Sequence, residues 1–202
     1  MSFARRAGLM YEPPRKHSSM RKLKLQTQIT IDGYMAGPAG EMDWLTFQWD
    51  EALKHYVTEL TAPVDCILLG RKLAEGFIPH WAAKPSYEPA AAVDKMNDTH
   101  KVVFSRTLTT SAWPNTTLAG GPLGDEVHKL KAGPGGDLIA YGGGTFVASL
   151  LAEGLVDDIH LMVNPVALGS GMKVFPSRLG YELVKATPFA CGIVALNYRP
   201  GR

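Results

Sequence analysis

Residues Leu138–Leu161, LIAYGGGTFVASLLAEGLVDDIHL, decide the fold. Leu138 to Tyr141 is a short apolar run with the length of a buried strand. Phe146, Val147, Leu150 and Leu151 then recur at helical spacing, and Ile159 to Val163 is a second strand closed by Asn164-Pro165. Strand, helix and strand in succession build a mostly parallel sheet flanked by helices. Gly142, Gly143 and Gly144 make the first junction. A junction without side chains brings backbone N–H groups and a helix N-terminus up to an anion, commonly a phosphate or pyrophosphate. From this stretch alone, a tight turn with no ligand reads equally well. It is neither a G-x-G-x-x-G fingerprint nor a P-loop, since no G-K-[ST] follows.

The pattern continues on either side. Leu23, Leu25, Thr27, Ile29 and Ile31 alternate as a period-two strand ending at the Asp32-Gly33 turn, and a loop follows through Gly37, Pro38 and Gly40. A helix is predicted from Asp50, with Leu53, Tyr56, Val57 and Leu60 on one face and two acids in the first turn, where the dipole favours them. Val64 to Leu69 is predicted as a strand, and Gly70 opens a short helix to Gly76. Residues 79–100 read as an irregular excursion with a helix near Ala90 to Asn97. Lys101 to Phe104 and Thr116 to Leu118 are predicted strands, and Asp125 to Lys131 a helix stopped at Gly133-Pro134-Gly135-Gly136. Beyond Met172 strands follow strands, Tyr181 to Ala186 and Gly192 to Arg199, which implies an antiparallel hairpin at the C-terminal edge. The expectation is one α/β domain over residues 22–202 behind a basic arm at residues 1–21.

Composition narrows the function classes. The chain has 202 residues, 46% hydrophobic and 20% charged, which fits one globular domain without a membrane-spanning run. Residues 1–24 hold seven Lys and Arg against one acid, Glu12; the remainder holds 14 basic and 18 acidic residues. A mildly acidic body argues against nucleic acid as a partner. The basic segment lacks the apolar core of a secretory signal, and Met20 is an alternative start. Cys66 and Cys191 sit in apolar runs and read as buried hydrophobes, which implies a reducing, cytoplasmic compartment. The six histidines have no metal-ligand spacing, so no metal is expected.

Three strand ends carry further chemistry: Gly70-Arg71-Lys72, Ser105-Arg106-Thr107, and the glycine run with Thr145. In an open α/β sheet, ligands bind outside the carboxyl ends of the strands. Singly, Arg71 reads as a solvated helix residue and Ser105 as a cap. Together they supply a bare backbone for a pyrophosphate and an Arg-Ser set for a 2′-phosphate.

The chain resembles the dihydrofolate reductase superfamily. Within it, the resemblance is to the C-terminal reductase domain of the bifunctional riboflavin-biosynthesis deaminase-reductase and to stand-alone relatives of that domain. The residues that carry it are TIDGYMAG (Thr30 to Gly37), MDWL (Met42 to Leu45), LLGR (Leu68 to Arg71), KVVFSRTL (Lys101 to Leu108), YGGGT (Tyr141 to Thr145), LLAEGLVDDIHL (Leu150 to Leu161) and PVALGSGMKVF (Pro165 to Phe175). The resemblance implies NADPH as cofactor. Its 2′-phosphate would lie at Arg71, Ser105 and Arg106, with Gly70 and Lys72 also cofactor-binding in the first turn, and its pyrophosphate at Gly142, Gly143, Gly144 and Thr145. Ala36 to Trp44 would form a mobile loop over the nicotinamide. The resemblance also implies a cis peptide at Gly142-Gly143 and a homodimer. Leu73 departs from the pattern, since many relatives have Thr there.

The substrate side is read from acids and aromatics. Hydride transfer to a C=N or C=O bond wants a nearby proton source. Asp32, Asp43 and Asp50 are candidates; Asp32 and Asp50 are assigned both catalytic and substrate-binding roles. Asp50 is equally a helix cap, and Asp32 an ordinary turn residue. Trp44, Phe47 and Trp49 wall a pocket for a planar heterocycle or pack in the core. The expected activity is NADPH-dependent reduction of a small pteridine- or pyrimidine-like heterocycle, carbonyl or imine. A non-catalytic nucleotide-binding or ligand-sensing protein with the same groove is the alternative. The deaminase motifs, H-x-E with P-C-x-x-C, are absent from the sequence.

Overall fold

A computed structural model describes residues 20–142, 144–175 and 177–201. Most of the basic arm, Gly143 and hence the Gly142-Gly143 bond lie outside the described residues. The elements are β1 (Leu23–Thr30), β2 (Tyr34–Ala36), α1 (Glu51–Thr61), β3 (Val64–Gly70), α2 (Arg71–Ala82), α3 (Ala90–Asp98), β4 (His100–Phe104), β5 (Thr116–Ala119), α4 (Leu123–Ala132), β6 (Asp137–Tyr141), α5 (Gly144–Ala152), β7 (Asp158–Asn164), β8 (Met172–Lys173), β9 (Tyr181–Pro188) and β10 (Val194–Pro200). The main sheet has the order β5-β4-β3-β6-β1-β7-β10-β9. All pairs from β5 to β7 are parallel, and β10 runs antiparallel to both β7 and β9. The α/β class, the parallel sheet and the C-terminal hairpin match the reading of the sequence.

Helices cover both faces because the central strands are apolar on both. On one face Leu25, Leu68, Leu138 and Ile159 pack with Val127 of α4 and Val147, Leu150 and Leu151 of α5. On the other, Ile67, Leu69, Val103 and Ile139 pack with Ala74 and Ile78 of α2 and Met96 of α3. Farther along that second face, Leu53 and Leu60 of α1 pack on Met162, Ile193 and Ala195. Truncating a fully buried leucine such as Leu68 to alanine costs about 2–5 kcal/mol. Between these two clusters the second face of β1 carries polar side chains instead: Lys24, Gln26, Gln28 and Thr30.

Four local expectations are corrected. The helix expected to stop at Gly76 continues to Ala82 through Pro79, because Phe77, Ile78 and Trp81 all pack on the second face. Ile31, read as the last strand residue, is 65% exposed, and the strand ends at Thr30. The loop after Gly33 contains β2, which pairs with β8 as a separate two-stranded strap. At the other boundary, Arg21, assigned to the arm, belongs to the body. Its Nε donates to the Gly136 carbonyl at 2.6 Å, and its guanidinium pairs with Asp65.

Candidate functional site

The carboxyl edge of the sheet collects the chemistry. β3 and β6 are neighbours, yet the chain leaves β3 into α2 on one face and leaves β6 into α5 on the other. Adjacent strands whose helices depart to opposite faces open a crevice at their carboxyl ends. Two glycines permit the close approach. Gly70 has φ −73°, which any residue adopts, but a β-carbon there would lie 2.8 Å from Phe146 Cβ on α5. A β-carbon on Gly142 would lie 3.0 Å from Thr27 Oγ1 of β1. Gly144, at the N-terminus of α5, lies against the Met172 methyl of the strap. The carboxyl ends of β3 and β6 therefore pack closely against their neighbours, with α5 starting on one side and α2 on the other.

The predicted anion-facing side chains follow the carboxyl ends of β3, β4 and β6. Arg71 opens α2, and its Nη1 donates to Glu75 Oε1 at 2.5 Å on the exposed helix surface. Lys72 is exposed beside it and makes no ion pair among the described residues. Ser105 follows β4; its Oγ accepts from the Thr107 and Leu108 N–H groups at 3.2 and 3.0 Å, so its hydroxyl caps a turn. Arg106, in that turn, is exposed. Thr145 is exposed in the first turn of α5. Ala36 is buried in β2 and pairs with Met172, so the strap links the loop of residues 37–49 to the glycine run. A fourth turn was not singled out in the sequence. Gly120-Gly121 leave β5 into α4, and Gly120 lies against the Ser105 carbonyl. A paired glycine after a short strand was the signal.

The two aspartates are held as carboxylates. Asp32 accepts from Thr30 Oγ1 at 2.5 Å and from the Gly169 and Leu168 N–H groups, and these bonds hold its pKa below the ordinary value. Asp50 is the N-cap of α1. It accepts from Leu53 N–H at 2.8 Å and from Cys191 N–H at 2.9 Å, which likewise lowers its pKa. Of the two readings of Asp50 the structure shows the cap, at a helix N-terminus on the carboxyl edge of the sheet. Asp43 is exposed in the loop. Phe47 and Trp49 pack on the α1 cluster, whereas Trp44 is 7% exposed and its Nε1 has no hydrogen-bond partner among the described residues.

The polar strip on β1 was not recognised in the sequence as part of a site. Gln28 Oε1 accepts from Asn164 Nδ2 at 2.9 Å, and Thr30 joins the Asp32 turn. Gln26 is 6% exposed and its Oε1 has no partner among the described residues. A strand buried on both faces of a parallel sheet is ordinarily apolar, so polar residues along one face signal something other than packing.

Comparison with known proteins agrees with this architecture. The RibD C-terminal domain model matches residues 21–195. The chain is 30% identical over 187 residues to the uncharacterized protein YyaP of Bacillus subtilis, covering 88% of this chain and 94% of that one. Its fold is similar to a diaminohydroxyphosphoribosylaminopyrimidine deaminase/5-amino-6-(5-phosphoribosylamino)uracil reductase of Thermotoga maritima. That match has a TM-score of 0.65 at 16% identity, over 90% of this chain and 57% of that one. It is also similar to dihydrofolate reductase of Enterococcus faecalis, solved with NADP(H), with a TM-score of 0.60 at 14% identity over 90% and 97% of the two chains. A parallel sheet with a crevice between β3 and β6, an antiparallel C-terminal hairpin and a family match across nearly the whole body lead to one conclusion: the chain belongs to the RibD C-terminal domain family.

Proposed function

We propose that this protein is an NADPH-dependent reductase of a small ring heterocycle, carbonyl or imine. The observation that carries the reading is the glycine-built carboxyl edge of β3 and β6, where Gly70 and Gly142 approach Phe146 and Thr27 too closely to carry a β-carbon. Family membership and the likeness to a reductase domain support it. NADPH, when bound, supplies the hydride.

The chain's own residues do the rest. Gly142, Gly144 and Thr145, with Gly143 between them, would hold the pyrophosphate at the α5 N-terminus, where unsatisfied N–H groups and the dipole favour an anion. Arg71, Lys72, Ser105 and Arg106 would hold the 2′-phosphate. Arg71 exchanges an exposed i,i+4 partner for a phosphate, and such surface pairs cost little to break. The loop of residues 37–49, tethered at Ala36, would exclude water. Asp32 and Asp50 remain ionised at neutral pH. Asp50 would anchor ring N–H groups as an acceptor, Asp32 would fix the turn beside it, and solvent would deliver the proton. That Asp32 and Asp50 are both held as carboxylates also favours the second reading, a protein that binds the nucleotide and performs no reduction.

We further propose a C2 homodimer. The outer face of β7, β10 and β9 holds an apolar cleft of about 180 Å³ lined by Leu161, Phe175, Tyr181, Leu196 and Tyr198, and Leu183 beside it is 56% exposed. A closed two-fold interface would cover it. No described helix is long and apolar enough to cross a membrane, and a small-molecule substrate in the cytoplasm fits the reading. The test is loss of NADPH absorbance across a panel of ring substrates. Turnover supports the enzyme, whereas saturable binding with no turnover supports the sensor.

A further inference from the structure

The amino edge of the sheet, at the opposite end of the strands, holds a second cavity of about 460 Å³. Small-molecule sites ordinarily have volumes of this order. β6 alone, from Asp137 in the cavity lining to Tyr141 before the glycine run, spans about 13 Å, so the cavity is separate from the carboxyl edge. Lys24 of β1, Asp158 and His160 of β7, and Asn197 and Arg199 of β10 line it, and the end of α1 at Leu60 closes one side.

Local structure accounts for two of the four cations in the lining. Lys24 Nζ donates to the Leu60 carbonyl at 3.0 Å and pairs with Asp137 at 2.9 Å, which satisfies the negative end of α1. Arg21 pairs with Asp65 and donates to the Gly136 and Leu130 carbonyls. Lys22 and Arg199 have no such task. Both rest on one carboxylate: Lys22 Nζ lies 3.2 Å from Asp158 Oδ2, and Arg199 Nε lies 3.4 Å from Asp158 Oδ1. Their side chains are 54% and 58% exposed, against 11% for Asp158. On β9 the cross-strand neighbours of Asn197 and Arg199 are Lys185 and Glu182, which offset each other. Two cations on one carboxylate leave an unbalanced positive charge at the cavity. The terminal amino groups of Arg199 make no hydrogen bond among the described residues. A guanidinium receives an oxyanion through two parallel N–H bonds, and at Arg199 that fork is unused.

We infer that this cavity is a binding site for a small molecule bearing an oxyanion, a phosphate group or a carboxylate, which Arg199 and Lys22 hold. Asp158 is the internal competitor: it keeps the two cations together until the ligand takes over their free donors. Asn197 and His160 stand deeper in the lining as polar partners for the body of the ligand. The inference is independent of the cofactor reading.

The probes are inorganic phosphate and succinate, titrated into the full chain at fixed pH and ionic strength, with chloride as the control. The readout is the imidazole C–H signal of His160 in NMR, identified by its loss in His160→Gln. Phosphate, succinate or both should move that signal saturably, and chloride should not. Phosphate alone assigns a phosphate-bearing ligand, and succinate alone a carboxylate-bearing one. Arg199→Gln leaves Lys22 on Asp158 and should weaken binding tenfold or more. Asp158→Asn removes the competitor and should tighten it several-fold. Saturation with NADPH should leave the shift in place, which separates this site from any phosphate bound at the carboxyl edge. No saturable shift with either probe, a shift matched by chloride, unchanged binding by Arg199→Gln, or weaker binding by folded Asp158→Asn each overturns the assignment.

Discussion

Gly70→Ala isolates the physical basis of the crevice. The backbone at Gly70 is extended, φ −73° and ψ 148°, so alanine meets no conformational penalty there and the whole effect is steric. The new β-carbon would stand 2.8 Å from Phe146 Cβ and 3.2 Å from its Cγ, where ordinary contact begins near 3.4 Å. The near atom is the root of the Phe146 side chain, so a rotamer change cannot relieve it. The β3–α2 junction and α5 must move apart by several tenths of an ångström. Forcing extra carbon into a packed site costs about 1–3 kcal/mol. For a body of this size that lowers Tm by about 2–12 °C. The two crevice walls would also separate, so NADPH affinity should fall at least tenfold. Phe146→Ala in the same chain removes the clashing ring but keeps Cβ, so part of the penalty should remain. A double-mutant cycle by thermal melting and cofactor titration should therefore show a coupling of about 0.5–3 kcal/mol. Additive effects, or a Gly70→Ala variant that melts and binds like the parent, would refute the close-approach argument.

Other consequences are open to measurement. His160 is kept neutral by burial, which pushes its pKa from 6.5 down to about 4. The unfolded chain therefore binds a proton that the folded one refuses between those values, and stability should fall as pH drops through that window. A titration of the imidazole by NMR that finds a midpoint near 6.5 would contradict this. Asp32 and Asp50 have lowered pKa values, so the stability they contribute is present above the ordinary carboxylate pKa of 3.8 and lost as pH falls through their lower folded values. Asp32→Asn and Asp50→Asn should each flatten the acid limb of the Tm-against-pH curve, and an unchanged limb in both would count against the bonding described. Light scattering at micromolar concentration should give a dimer mass; a monomer mass removes the proposed role of the β9–β10 face. In that case Leu183→Lys, which should otherwise split the dimer, changes nothing.

What was legible in the sequence was whatever periodicity and punctuation express locally. The β6–glycine–α5 unit was readable because an apolar run, a glycine cluster and a helical repeat follow one another within a few residues. Asp50 was readable as a helix start because its chemistry as a cap is local. The role of β1 was not. Its alternation of Leu23, Leu25 and Ile29 with Lys24, Gln26 and Gln28 has the form of a strand with one wet face. Only the strand order places β1 between β6 and β7 and buries those polar residues. The strap was missed because β2 and β8 have three and two residues and their pairing spans more than 130 positions of chain. The continuation of α2 past Gly76 depends on Phe77, Ile78 and Trp81 finding the second face, a tertiary gain that outweighs the local signals of Gly76 and Pro79.

The central claim is that the crevice between β3 and β6 receives NADPH, with Arg71, Lys72, Ser105 and Arg106 on its 2′-phosphate. The most direct measurement is a pair of titrations of the parent protein, one with NADPH and one with NADH, at fixed low ionic strength. A charge-assisted bond to the additional phosphate contributes about 1.5–3 kcal/mol, so even one such bond makes NADPH bind at least tenfold more tightly. That preference should collapse in Arg71→Ala/Arg106→Ala while NADH binding stays as it was. Equal dissociation constants for the two nucleotides in the parent, or no saturable binding of either, would contradict the account.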